Sequence, residues 1–158
     1  MKHSLFFLTV VVLISWKSIP FKTLAYSDFK GHGSTAANTA SCIDLSYEES
    51  GGRYTFSVSC YFVPGESWIN VKTPEVLAHE NTHWKISILY ARQVQRICNT
   101  FKNCDSIRAE QVRAMYDKII AEWQSTESKF DEESNHSINR PIELQWEEKI
   151  SNQLKTNL

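Results

Sequence analysis

The chain has 158 residues, of which 42% are hydrophobic and 22% charged, and its formal net charge is −1. This length leaves room for one domain with a modest core, and an aromatic content of 12% argues against intrinsic disorder. Because the chain has no basic excess, we expect no nucleic acid among its partners.

The N-terminus has the pattern of a secretory leader. A basic start precedes an apolar run over residues 5–16, which has the length of a leader's hydrophobic centre rather than of a membrane span. Thr23 and Ala25 are small residues suited to positions −3 and −1 of a cleavage site. We predict a signal peptide over residues 1–25, cleaved near Ala25, with an uncleaved anchor as the alternative. The mature chain, residues 26–158, is then one secreted or periplasmic domain without a membrane span.

The predicted export indicates the chemical state of the four cysteines. An even number of cysteines in a small exported domain favours disulfides over free thiols. Cys98 and Cys104 are six residues apart between two helical segments, and Cys42 and Cys60 lie on adjacent predicted strands. We predict the pairs 42–60 and 98–104. A cysteine metal site is the rival interpretation, but the chain contains no Cys-x-x-Cys spacing.

The first half of the mature chain has the alternation of β-strands. Residues 41–47 and 53–63 alternate between apolar and polar side chains, and the glycine-containing segment 48–52 between them predicts a turn. Together they predict a hairpin, and residues 67–71 predict a further short strand. The predicted inward face comprises Ile43, Leu45, Tyr47, Tyr54, Phe56, Val58 and Cys60.

The second half has helical periodicity. Thr73 and Pro74 predict the start of a first helix, which runs to about Ile97. A second helix begins at Asp105 or Ser106 and its apolar stripe extends to Trp123. The polar segment 125–140 predicts an interruption, and Pro141 opens a final helix. The predicted fold is α+β: an N-terminal antiparallel hairpin or small sheet packed on about three C-terminal helices.

The first helix carries the pattern H-E-x-x-H at residues 79–83. Four residues advance a helix by about 400°, so His79 and His83 project from nearly one direction and can bind one Zn²⁺. Glu80 stands beside the first ligand, where its carboxylate can reach zinc-bound water and act as a general base. The pattern predicts a secreted zinc metallohydrolase, most simply a peptidase acting on peptide or protein substrates.

A catalytic zinc of this kind needs a third protein ligand and an open fourth position. The remaining histidines are His32, in a glycine-rich entry segment, and His136, in the polar segment before the last helix. Chemistry alone leaves three choices open: His136, a glutamate on the second helix, or Asp131. The glutamates in question are Glu110 and Glu122.

Two residues that follow the motif are candidates for a supporting role. Tyr90 is seven residues after His83, hence on the same helix face, and is suited either to oxyanion stabilisation or to packing. Arg92 is suited either to pairing with Asp131, which would orient the segment that carries the ligand, or to a plain surface salt bridge.

Residues 77–86, LAHENTHWKI, with the trailing Y-A-R of residues 90–92, resemble the helix of a bacterial domain-of-unknown-function family of predicted secreted zinc-dependent proteases. Residues 27–31 resemble that family's D-F-x-G entry, and residues 130–137 resemble its Y-D-x-x-T-x-H-G segment. The departures from the family's pattern are Asn81, Thr82, Phe130, Ser134 and Ser137, none of which is a candidate ligand or base. The resemblance implies a zincin-like metallopeptidase with His136 as the third ligand.

Two other classes of protein compete with the metallopeptidase. One is a non-catalytic, zinc-stabilised binding or envelope-associated module, which suits the small size of the domain. The other is a disulfide-bonded inhibitor or adhesin with incidental histidines, which leaves the H-E-x-x-H pattern without an explanation.

Overall fold

A computed structural model describes residues 19–156 of the chain; the predicted apolar centre of the leader, residues 5–16, lies outside this range. None of the helices within residues 19–156 is long and apolar enough to span a membrane. The described elements follow in the order β1 (Ala37–Asn38), β2 (Ser41–Ser50), β3 (Arg53–Phe62), β4 (Trp68–Ile69), α1 (Pro74–Thr100), α2 (Ser106–Ser134) and α3 (Arg140–Thr156).

The strands form two small antiparallel sheets, β1 with β4 and β2 with β3, so the predicted α+β class is confirmed. In the β2–β3 hairpin Ile43 faces Cys60 and Tyr47 faces Phe56. The predicted inward face is buried at Ile43 and Phe56, whereas Tyr47, near the turn, is 51% exposed. The part of the hairpin away from the turn therefore packs on α1, whereas the turn itself extends into solvent.

The predicted disulfides 42–60 and 98–104 are wrong, because all four cysteines are free thiols. Cys42 pairs with Tyr61 and Cys60 with Ile43, so the two thiols lie on opposite faces of the hairpin. Cys98 and Cys104 are buried in one apolar cluster, where burial raises the pKa of the Cys98 thiol to about 11. The backbone N–H and carbonyl of Cys104 form two hydrogen bonds with the backbone of Tyr54 on β3.

α1 begins as predicted, with Val76 donating its backbone N–H to the Thr73 hydroxyl at 3.3 Å. α2 is longer than predicted, because the polar segment that follows Trp123 continues as helix to Ser134. This segment contains no proline or glycine to stop the helix, and the helix ends only where Asn135 adopts a left-handed conformation with φ 48°. The residues at 127 and 131 consequently lie on a helix and not in a loop.

The core divides into two clusters on the two sides of α1. One joins the hairpin to α1 and α2, and its buried members include Ile43, Phe56 and Trp84. The other joins α1, α2 and α3 through Ile86, Leu89, Phe130, Trp146 and Ile150. α1 is thus packed on most of its circumference, which fixes the direction of the side chains that it presents to α2.

Candidate metal centre

Three side chains from α1 and α2 converge on one point. His79 and His83, one turn apart on α1, bring their Nε2 atoms to 3.2 Å from each other. Oδ1 of Asp131, on α2, lies 3.1 Å from Nε2 of His79 and 3.0 Å from Nε2 of His83. The three donor atoms therefore form a nearly equilateral triangle.

The size and chemistry of this triangle fit a zinc ion. A tetrahedral zinc with bonds of about 2.0–2.1 Å holds its ligand atoms about 3.3 Å apart, close to the separations found here. Within residues 19–156, His79, His83 and Asp131 are the His, Cys, Asp or Glu residues whose ligand atoms lie close enough to one another to bind one metal ion. Two imidazoles and one carboxylate leave a fourth position, which is the donor set of catalytic rather than structural zinc sites.

Phe130 holds the two imidazoles in place. It is fully buried and lies next to Asp131 on α2. Its ring stacks on His79 at 4.6 Å between centroids and meets His83 edge to face at 4.9 Å. Because both histidines contact one rigid buried ring, neither imidazole can rotate without repacking the core.

The far nitrogen of His83 is bound by a second carboxylate. Nδ1 of His83 forms a hydrogen bond with Oε2 of Glu127 on α2. The other oxygen of Glu127 accepts hydrogen bonds from Nε1 of Trp123 at 2.8 Å and from the Ser87 hydroxyl at 3.3 Å. A carboxylate on the far nitrogen makes Nδ1 the protonated one, which leaves Nε2 free to bind a metal and increases its basicity.

We expect Glu127→Gln to lower zinc affinity by about 10- to 100-fold, since an amide orients the imidazole less firmly and carries no charge. Zinc affinity measured against a competing chromophoric chelator checks this. The control is Glu122→Gln, which changes an exposed carboxylate of the same helix and is expected to leave affinity unchanged. Equal affinities for the Glu127 variant and the wild type would mean that Glu127 has no part in the metal site.

His79 has a carboxylate on its far side too. Nδ1 of His79 lies 3.9 Å from Oε1 of the fully buried Glu143, on α3. Arg140, also on α3, forms an ion pair with the same carboxylate at 3.1 Å. All three helices therefore contribute to the surroundings of the two histidines.

The charges around the cluster favour a cation. Burial alone would lower the pKa of His83, but the carboxylates of Asp131 and Glu127 outweigh it and raise that pKa. Burial opposes ionisation of Asp131 as well, yet hydrogen bonds with His79 and His83 hold the pKa of Asp131 well below its usual range. The carboxylate of Glu143 is paired with Arg140, whereas those of Asp131 and Glu127 have no cationic partner besides the imidazoles among the described residues, and a divalent ion would balance these two charges.

Glu80 lies in the wall of a cleft of about 780 Å³ that also contains the cluster. One wall of the cleft is formed by residues 35–41 and the other by the α2 face that carries Glu127 and Asp131. Glu80 is 4% exposed, burial raises its pKa, and its Oε2 has no hydrogen-bond partner among the described residues. A buried carboxylate of raised pKa is suited to accepting and returning a proton.

The other predicted ligands lie farther from the triangle. His136 follows α2 in a left-handed turn, and its exposed ring has Nδ1 3.4 Å from Oδ1 of Asp131. It lines the cleft, but Asp131 and not His136 completes the group of three. His32, Glu110 and Glu122 are exposed and belong neither to this group nor to the cleft lining.

The two predicted supporting residues act elsewhere. Tyr90 shares the helix face of His83 but lies about 10 Å along the axis, where its hydroxyl hydrogen-bonds that of Thr126 at 2.7 Å. The predicted pairing of Arg92 with Asp131 is wrong. Nine residues turn a helix by about 900°, so Arg92 points away from His83 and donates to the carbonyls of Ile19 and Leu154.

Glu127, Glu143 and Phe130 contact the two histidines but are not predicted as site residues from the sequence. A helical spacing was available as a signal, since residues 123, 127, 130, 131 and 134 repeat at intervals of three and four. Because most of these residues are polar, the stripe did not stand out as an apolar helix face.

Comparison with known proteins connects this region with one family. A family model described as "Bacterial protein of unknown function (DUF922)" matches residues 66–137. No curated protein and no solved structure matches the chain. The match begins just before β4 and includes His79, Glu80, His83, Asp131 and His136. Over residues 66–137, which contain His79, His83 and Asp131, the chain is similar to this bacterial family of unknown function.

Proposed function

We propose that this protein is an exported zinc-dependent metallohydrolase that cleaves peptide bonds, with Glu80 as the general base. The observation that carries the proposal is the triangle of His79, His83 and Asp131, open to a large cleft beside Glu80. A structural zinc site is closed by four protein ligands, whereas this donor set leaves one position for water or substrate.

Each residue has a distinct part in the proposed reaction. His79, His83 and Asp131 would hold the zinc ion, which when bound lowers the pKa of a water ligand towards ~7 and polarises the carbonyl of the substrate. Glu80 accepts a proton from the attacking water and returns it to the leaving amine, so that the amine departs as a neutral group. Glu127 and Phe130 keep the imidazoles oriented during both steps.

The pKa of Glu80 supports this role. An ordinary glutamate, with a pKa of about 4.3, returns a proton less readily near neutral pH than one whose pKa is raised. Burial raises the pKa of Glu80. The carboxylate is thus moved towards the range in which both proton transfers proceed.

The experiment is a metal analysis combined with a turnover assay. The exported protein, purified without chelator, is expected to contain about one zinc per chain and to hydrolyse members of a mixed peptide library. Treatment with chelator should abolish hydrolysis and added zinc should restore it. Bound zinc without any turnover would favour the non-catalytic binding module, and failure to bind zinc by titration would exclude both functions.

A further inference from the structure

A row of polar side chains on α1, on the side opposite the metal centre, binds the backbone of an extended segment. This segment, residues 19–25, is called the N-terminal strap. The row consists of Asn81, Trp84, Arg92 and Gln95, whose spacings of 3, 8 and 3 residues place them on one stripe of the helix. The strap runs antiparallel to α1, with Ile19 near Gln95 and Leu24 near Asn81.

The hydrogen bonds of this row go to main-chain atoms of the strap. The Asn81 amide accepts from the Leu24 N–H at 2.7 Å and donates to the Leu24 carbonyl at 3.1 Å. Nε1 of Trp84 donates to the Lys22 carbonyl at 3.0 Å. Arg92 donates to the Ile19 carbonyl from two nitrogens, at 3.3 and 3.1 Å, and Gln95 accepts from the Ile19 N–H at 3.3 Å.

Apolar contacts secure both ends of the strap. Ile19 is 7% exposed and Leu24 is 6% exposed, and both belong to the cluster that joins the hairpin to α1. Between them the side chains of Phe21, Lys22 and Thr23 face solvent. The strap is therefore bound to α1 by its backbone and by two anchoring side chains.

From these contacts we propose that the strap is a permanent part of the folded mature domain, and that export processing leaves residues 19–25 in place. Without the strap, Arg92 and Asn81 would lose these hydrogen bonds, and the part of the apolar cluster that Ile19 and Leu24 cover would be exposed to solvent. Asn81 is next to Glu80 in α1, so the strap is attached to the turn of the helix that carries the H-E-x-x-H pattern. This proposal replaces the cleavage near Ala25 that the residue pattern predicts.

The test uses the full chain with its own leader, exported from a bacterial host, and has two readouts. The intact mass of the wild-type folded protein should include residues 19–25. Leu24→Asp, which places a charge in the apolar cluster, should lower Tm by on the order of 10 °C. Phe21→Asp, in the exposed part of the same strap, should change Tm by at most about 2 °C.

The two readouts overturn the proposal independently. A folded wild-type protein that begins at Tyr26 would show that the strap is removed. In that case both variants would also yield one and the same mature chain, with identical masses and melting curves. If Leu24→Asp fails to accumulate, the intact mass of the wild-type protein decides by itself: a mass that includes residues 19–25 supports the strap, and a chain that begins at Tyr26 overturns it.

Discussion

Replacing Asp131 with alanine is expected to lower zinc affinity by more than about a hundredfold. The substitution removes one of three ligands, a larger loss than the 10- to 100-fold typical of a residue that only orients a ligand. The two remaining imidazoles, held 3.2 Å apart, cannot complete a tetrahedral site on their own. The measurement is zinc affinity by competition with a chromophoric chelator, together with far-UV circular dichroism to verify the fold.

The matched comparison is His136→Ala, five residues further along the chain. We expect this variant to keep zinc affinity within about tenfold of the wild type, because its exposed ring lies beside Asp131 and outside the triangle. The opposite ranking, with the His136 variant the weaker binder, would show that the ligand implied by the family resemblance is the correct one. The two variants together therefore decide which residue completes the site.

Replacing Glu80 with glutamine is expected to abolish peptide hydrolysis while zinc remains bound. The amide has nearly the shape of the carboxylate but cannot accept a proton from water, and loss of a general base costs about 10²–10⁴ in rate. Folding should be retained, since Oε2 of Glu80 has no hydrogen-bond partner to lose among the described residues. The measurement is the initial rate on a peptide that the wild type cleaves, with zinc content verified for both proteins.

The control for this experiment is Glu75→Gln, an exposed carboxylate in the first turn of the same helix. It should hydrolyse the peptide at the wild-type rate, which shows that removal of a charge from α1 is harmless by itself. Equal rates for the Glu80 variant and the wild type would remove Glu80 from the mechanism, and a different base would then be required. If the Glu80 variant loses zinc along with activity, its role is structural and the proposed base is wrong.

The predicted disulfide between Cys42 and Cys60 was already excluded by the residue pattern of the two strands. The alternation that directs Ile43 and Cys60 to the same face of the hairpin directs Cys42 to the other face. Side chains on opposite faces of a sheet cannot form a disulfide without a change of register. The even number of cysteines favoured a bridge, but the strand geometry excluded the pair 42–60.

The predicted interruption over residues 125–140 was wrong because polar residues were interpreted as a loop. The residues that follow Trp123 are polar because several of them contact the histidines of α1: Glu127 binds His83, and Asp131 lies against both His79 and His83. A helix whose inner face carries functional carboxylates lacks the apolar stripe by which helices are recognised. Local sequence rules therefore fail in this segment because its inner face binds the histidines rather than forming apolar core.

The sequence by itself determined the local features. Those are the hairpin, the start of α1 at its Thr73 cap, and the shared direction of His79 and His83, all of which depend on spacings of a few residues. Only the tertiary structure decided which distant side chains meet them. The position of Asp131 against the two histidines depends on where α2 ends, and the partner of Arg92 depends on which segment covers the far side of α1. Such contacts join residues about 40 to 70 positions apart, and no short-range pattern encodes them because they result from the packing of whole elements.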